Sequence, residues 1–266
     1  QKHYQVVNSK KFREKWAEEL AKHPDNAENV FQARDYSFNK PTLLMVDHYV
    51  PHFDKDAGSR TVYQYLKLFV QAGFNVKFIG DNFYQHEPYT TALQQMGIEV
   101  LYGPECAQHW KDWIRDNAEH IDYVFLNRPH IAPKYLHFIR ENTKARIIYY
   151  GHDLAFLREM REFEITGDSS FRDSAIEWKP KELALMRAAD MAYYPSYVEV
   201  DEIHAIDPTV KVKAIPAYLF ENVQWEGYDH AARKDIMFIG GFGHRPNVDA
   251  VKWIADEILP ELLKYL

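Results

Sequence analysis

From Pro41 onward the chain alternates two patterns. Short continuous apolar runs give way to stretches in which apolar residues recur every three or four positions, then return. The first run, TLLMVDHYV (42–50), predicts a buried strand. The segment from Ser59 to Gly73 predicts a helix, because Val62, Tyr65, Leu66, Phe69 and Val70 share one face and Gly73 stands where a C-terminal cap belongs. FNVKFIG (74–80), IEVLYG (98–103), DYVFLNR (122–128) and RIIYYG (146–151) predict further short strands, with helices near 88–96, 106–119 and 131–143 between them. MAYYP (191–195) and KVKAIP (211–216) close the series. Apolar strands separated by amphipathic helices imply a parallel sheet covered on both faces, hence a doubly wound, Rossmann-like α/β domain over about 41–220.

The flanks differ from this body. Residues 1–40 contain SKKFREKWAEELAKH, a helical pattern with Phe12, Trp16 and Leu20 four apart, ended by Pro24 and the polar run DNAEN. Its basic, aromatic-bearing face suits a membrane surface. Docking on the domain, or leading to another module, suits it as well. Residues 221–266 begin with a polar, irregular stretch. DIMFIGGFGHRPNVDAVKWIADEIL then restarts the strand, glycine turn and helix, with Val248, Val251, Ile254, Ile258 and Leu262 as the apolar stripe. This is expected to be the first βα unit of a second Rossmann-like domain. Both ends read as cut: the chain opens on Gln1 and closes inside an apolar-periodic segment.

Composition narrows the function classes. With 32 basic and 39 acidic side chains the net charge is −7, which argues against a duplex-binding surface. The single cysteine, Cys106, forms no intrachain disulfide, and no Cys/His spacing suits zinc. No apolar run approaches the roughly 20 residues of a membrane span. These features fit a cytoplasmic protein.

Ligands of doubly wound sheets bind beyond the carboxyl ends of the strands, so the residues after each strand are the candidates. Gly58, Ser59 and Arg60 open a helix whose free N–H groups and positive dipole end suit a phosphate; Ser59 as a plain N-cap and Gly58 as a turn residue fit equally. Asn127, Arg128, Pro129 and His130 offer polar groups for an acceptor or form an ordinary loop. In Gly151-His152-Asp153 the histidine could bond a substrate hydroxyl or stabilise charge, with Asp153 fixing its tautomer or capping the next helix. Gly240, Gly241, Phe242 and Gly243 lie between a strand and a helix, a context for a diphosphate, without the G-x-G-x-x-G of a nicotinamide site. Aromatics make up 15% of the chain, which suits sugar stacking and core packing alike.

Three stretches together carry a resemblance. VDHYVPHFDKDAGSRTVYQYLKLFVQAGFNVKFIG, GHDLAFLRE and DIMFIGGFGHRPNVDAVKWIADEILPEL resemble, over about Thr42 to Leu266, the group 1 (GT4-type) retaining glycosyltransferases of the GT-B fold, nearest those that assemble bacterial surface polysaccharides. The resemblance implies metal-independent, cofactor-free transfer of a sugar from a nucleotide-diphosphate donor to a glycan or lipid-linked acceptor hydroxyl. It also implies a cytoplasmic setting, at the inner membrane face where the acceptor is lipid-linked. It places Gly58 and Ser59, with Gly240, Gly241 and Gly243, at the donor and His152 near the donor sugar; from their positions behind the strands Arg60 and Phe242 are expected at the donor too, Asp153 beside His152, and Arg128 and His130 at the acceptor. The family's pair of glutamates eight positions apart does not occur: no Glu in the chain is followed by Glu eight residues later. The expectation is therefore an acceptor-side domain plus the start of a donor domain, inactive by itself. A sugar-nucleotide epimerase of the same architecture and a non-catalytic glycan- or sugar-nucleotide-binding module are the alternatives.

Overall fold

The computed structural model describes residues 2–23, 30–35, 39–220, 235–243 and 245–265. The chain forms two compact units, Gln1–Leu219 and Phe220–Leu266.

In the first unit, helices α1 (Lys2–Lys15), α2 (Ala17–Leu20) and α3 (Val30–Asp35) precede the sheet. There follow β1 (Thr42–Asp47), α4 (Ala57–Gln71), β2 (Asn75–Gly80), α5 (Tyr89–Gln95), β3 (Glu99–Leu101), α6 (Gly103–Asp116), β4 (Tyr123–Asn127) and α7 (Ala132–Asn142). The unit ends with β5 (Arg146–Tyr150), α8 (Ala155–Thr166), α9 (Ser169–Ala188), β6 (Met191–Tyr194), α10 (Tyr197–Ile206) and β7 (Val212–Ala214). The strands form one seven-stranded sheet in the order β3-β2-β1-β4-β5-β6-β7, every pairing parallel. The doubly wound α/β reading therefore holds.

Two apolar layers sandwich the sheet. On one side Leu44, Val46, Leu126, Ile147 and Tyr149 meet Tyr135 of α7, Phe156 of α8 and Leu183 and Met186 of α9. On the other, Leu43, Met45, Phe78, Phe125 and Tyr150 meet Val62, Tyr65 and Leu66 of α4 and Leu93 of α5. All six residues of β1 are buried, which explains why its sequence does not alternate: both faces are covered.

Helix α4 shows how local sequence sets its limits. Asp56 holds extended backbone and its carboxylate accepts from Ser59 N at 2.7 Å, so the helix starts two residues earlier than the pattern at Ser59 predicts. At the other end Gly73 takes φ +86°, Gly73 N donates to Val70 O at 3.0 Å and Phe74 N to Phe69 O at 3.0 Å. That pairing is a Schellman closure, and the Phe69 and Phe74 rings meet across it at 5.6 Å. Tyr65 Oη donates to Pro216 O at 2.5 Å, while Gln64 exchanges two hydrogen bonds with the Leu219 backbone. These bonds fasten the last residues of the unit onto α4.

The N-terminal segment departs from expectation. Helix α1 begins at Lys2, and Phe12, Trp16 and Leu20 are exposed. The buried contact comes from Phe31 instead, stacked on His120 at 5.3 Å, tilted on Trp113 at 6.0 Å and lying 4.9 Å from Lys77 Nζ. Pro24 and the run after it lie outside the described residues.

The second unit contains α11 (Arg245–Trp253), a π-helical stretch Ile254–Ile258 and α12 (Leu259–Leu262). The helix expected after the glycine turn is present. The strand expected at 235–240 is not: those residues carry no regular structure, and Ile236, Met237 and Ile239 are exposed. A strand exists only by pairing, and among the described residues of this unit no second strand is available to it.

Candidate functional site

The strand order reverses between β1 and β4, because the chain runs outward through β2 and β3 and then returns to the far side of β1. In such sheets the crevice lies above the carboxyl ends of the strands at this reversal. Five polar residues converge there: Asp47 at the end of β1 and His48 after it, Asn127 at the end of β4 and Arg128 after it, and His152 after β5.

Asp47 ends β1 with 1% exposure. Its Oδ1 accepts from His48 N at 2.8 Å and from Arg128 Nε at 2.6 Å, with His48 Nδ1 at 3.1 Å. Burial disfavours its charge, but the His48 hydrogen bond and the Arg128 guanidinium outweigh this and hold its pKa at about 2. The carboxylate is therefore ionised and anchors Arg128. One arm of the guanidinium is committed to Asp47; the other, Nη2, is buried and has no hydrogen-bond partner. A Cβ on Gly58 would sit 2.8 Å from that Nη2. Gly58 is thus the residue that lets the guanidinium lie against the first turn of α4.

Asn127 is 1% exposed and joins the two halves of the group. Its Nδ2 donates to Val46 O at 2.9 Å, which turns Oδ1 toward His152 Nε2 at 3.1 Å. That orientation assigns the proton of a neutral imidazole to Nε2 and leaves Nδ1 as the acceptor. Burial, which the charge of Asp47 only partly opposes, lowers the His152 pKa to about 4, so the ring is neutral near pH 7. The imidazole packs edge-on against Tyr150 at 4.6 Å.

Arg128 and His152 both hold φ +66°. Left-handed backbone at a non-glycine residue costs on the order of 1 kcal/mol or more, and it persists where surrounding contacts over-determine it. Here two such residues stand at the ends of adjacent strands, each fixed by a buried polar partner. This coincidence of strain, burial and charge marks the site.

The remaining sequence candidates divide. Ser59 is buried, but as a ligand of Asp56 rather than as a cap or phosphate donor: its N and Oγ both bond the Asp56 carboxylate at 2.7 Å. The mouth of α4 therefore holds an acidic side chain, also touched by Tyr49 Oη at 3.0 Å. Arg60 is exposed, and no contact ties its guanidinium to the group. His130 flanks it, its ring 6.3 Å from that of His48, and burial together with Arg128 lowers its pKa. Asp153 neither fixes the His152 tautomer nor caps α8. Its carboxylate pairs with Arg158, Asn127 takes the imidazole, and the N-cap residue Leu154 provides no side-chain cap.

Gly240, Gly241, Phe242 and Gly243 belong to the second unit. There Asn247 Nδ2 donates to Gly241 O at 2.9 Å, and a Cβ on Gly240 would come within 2.9 Å of both Asn247 and Phe238. Gly240 thus forms a tight junction between loop and helix, whereas a Cβ on Gly241 or Gly243 would meet nothing within 4 Å; the Phe238 and Phe242 rings lie parallel at 6.4 Å.

A depression of about 770 Å³ lies at the opposite edge of the sheet, lined by Pro41, Asp122, Tyr123, Lys144 and Arg146. It sits where β1, β4 and β5 begin and gathers none of the strained or strongly perturbed groups, so the carboxyl-end cluster is the better site. Among the described residues no three His, Cys, Asp or Glu side chains are grouped to hold a metal ion, and no helix is long and apolar enough to cross a membrane. No protein-family model and no curated protein matches the chain.

Proposed function

We propose that the first unit is the acceptor-side half of a glycosyltransferase, using a nucleotide-diphosphate sugar to glycosylate a hydroxyl of a glycan or lipid-linked acceptor. The single observation that carries this reading is the pairing at the switch point of an unpartnered Arg128 Nη2 with a neutral His152. One supplies a cationic donor for a diphosphate oxygen; the other supplies a lone pair for a sugar hydroxyl.

Chemistry follows from the state of each group. With a pKa near 4, His152 is a weak base at pH 7. It therefore orients a hydroxyl through Nδ1 rather than removing its proton. Arg128, held by Asp47 through Nε, keeps the Nη2 amino group for charge that develops on a departing phosphate. Gly58 belongs to the reading as the residue that makes room for Arg128. Ser59 does not, because Asp56 occupies its donors.

A non-catalytic sugar-nucleotide or glycan-binding module is the second reading. Asp56 favours it: a carboxylate at the mouth of α4 offsets part of the attraction that a helix N-terminus offers a diphosphate. Calorimetric titration with UDP, dTDP and GDP, and with their hexose conjugates, tests the common ground. Saturable binding that Arg128→Ala abolishes supports a sugar-nucleotide site. Sugar transfer to an added acceptor then separates enzyme from module. Absence of binding by every nucleotide and conjugate overturns the transferase and the sugar-nucleotide module alike, leaving only a glycan-binding module.

A further inference from the structure

Helix α8 follows directly from the loop that carries His152, yet its own N-cap residue, Leu154, is apolar and provides no cap. The orphan donors of its first turn are met from elsewhere. Glu182, 27 residues along the chain on α9, accepts from Ala155 N through Oε1 at 2.9 Å and from Phe156 N through Oε2 at 3.0 Å. The carboxylate is fully buried, at 0% exposure. A buried acid is a costly way to cap a helix when Ser or Asp at position 154 would serve locally. What it provides in return is a tie between two elements: the first turn of α8, where the Gly151–Leu154 loop ends, is held by a side chain of α9.

The loop is pinned from below as well. Tyr194 of β6 lies so close to Gly151 that a Cβ there would be 2.2 Å from its ring. Tyr149 and Tyr194 bury their hydroxyls near each other and near the Glu182 carboxylate, and burial raises the pKa of both. Between the Tyr194 floor and the Glu182 clamp stands His152 with its backbone at φ +66°. Neither Asp153 nor Arg158 holds that conformation, since they pair with each other at the surface.

The geometry points to Glu182 as the positioning residue of the site: by capping α8 from α9 it holds the Gly151–Leu154 loop in the strained form that presents the His152 imidazole to Asn127. The inference rests on His152 belonging to the site and not on the sugar chemistry.

The test follows the His152 ring by NMR titration in the 266-residue chain and its variants, alongside thermal unfolding. In Glu182→Ala the clamp is gone, and His152 is expected to titrate higher by about one pH unit or more, as its loop relaxes toward solvent. Glu182→Gln keeps one acceptor but turns an NH2 toward the second N–H, so a smaller shift in the same direction is expected. Should the alanine variant not fold, the glutamine variant decides. In the unaltered chain the His152 signals are expected to inflect a second time as Glu182 ionises. A folded variant with lowered Tm and an unchanged His152 titration would make Glu182 a structural residue only, and overturns the inference. A shifted titration in a chain that binds no nucleotide keeps it and rejects the functional reading.

Discussion

Asn127 Oδ1 lies 3.1 Å from His152 Nε2, so a buried amide and a half-buried imidazole bridge the ends of β4 and β5. The same amide holds Val46 O through Nδ2, so three adjacent strand ends are locked by one residue. Replacing Asn127 by Leu removes both bonds, leaving a buried carbonyl without a donor and a buried imidazole N–H without an acceptor. The expected cost is about 2–4 kcal/mol in urea unfolding. Asn127→Asp is expected to do something else: a carboxylate facing Nε2 favours the imidazolium, so the His152 pKa rises from about 4. A His152 titration unaffected by Asn127→Asp would refute the contact between position 127 and the imidazole.

The Asp47–Arg128 pair yields a prediction in acid. Because the folded pKa of Asp47 is about 2 against an ordinary 3.8, its contribution is complete above pH 3.8 and is lost as the pH falls toward 2. Arg128→Ala leaves this 1%-exposed carboxylate without its cation. A loss of about 3 kcal/mol or more is expected at pH 7. It should shrink below pH 4, where Asp47 in the variant takes up a proton. Unfolding of the variant at pH 7 and pH 3.5 checks both parts; equal losses at the two values would contradict the ionised pair.

Gly151→Ala is a steric prediction. The added methyl would meet the Tyr194 ring at 2.2–2.3 Å, inside any allowed contact, and the ring is fully buried. A loss of about 1–3 kcal/mol or more is expected. Tyr194→Leu frees that space, so the double variant is expected to be less destabilised than the sum of the singles. Additive losses would show that the glycine is required for some other reason.

The architecture is open to reading because burial on both faces writes itself into β1, β4 and β5 as near-continuous apolar runs, broken in β2 only by Asn75 and Lys77, and α4 repeats every three to four residues. The site was legible only in part. Gly151-His152 and Asn127-Arg128 stood out as polar residues directly behind apolar strands. Asp47 and His48 are hidden in the sequence for a local reason: Tyr49 and Val50 extend the apolar run past them and predict a strand to residue 50, whereas the strand ends at Asp47. Recognising that a carboxylate inside an apolar run needs a partner would have found them. Asp56, the true cap of α4, was passed over in favour of Ser59 three positions on. Glu182 left no signal: in sequence it is one more acid on a charged helix, and only the packing of α8 against α9 reveals what it holds.

His152 and Glu182 pull stability in opposite directions with pH, and the pair is more informative than either alone. His152 is depressed to about 4 from 6.5, so between those values the unfolded chain holds the extra proton and stability rises with pH. Burial pushes Glu182 up to about 7 from 4.5, so from 4.5 upward the folded chain holds the extra proton and stability falls with pH. Each gap is worth about 3 kcal/mol at roughly 1.4 kcal/mol per pH unit. In the window from 4.5 to 6.5 the two slopes nearly cancel, and their joint contribution to the unfolding free energy is expected to be almost flat. Removing one partner exposes the other. His152→Asn keeps a residue that tolerates left-handed backbone and takes away the titration, so stability should then decline by about 3 kcal/mol from pH 4.5 to 7. Glu182→Gln should instead rise between pH 4 and 6.5, by no more than about 3 kcal/mol and by less to the extent that its His152 titrates higher. Urea unfolding at half-unit steps measures all three chains. Variants whose pH profiles run parallel to that of the parent would show that neither group is held in the protonation state its surroundings dictate, and the neutral imidazole on which the proposed chemistry depends would fall with them.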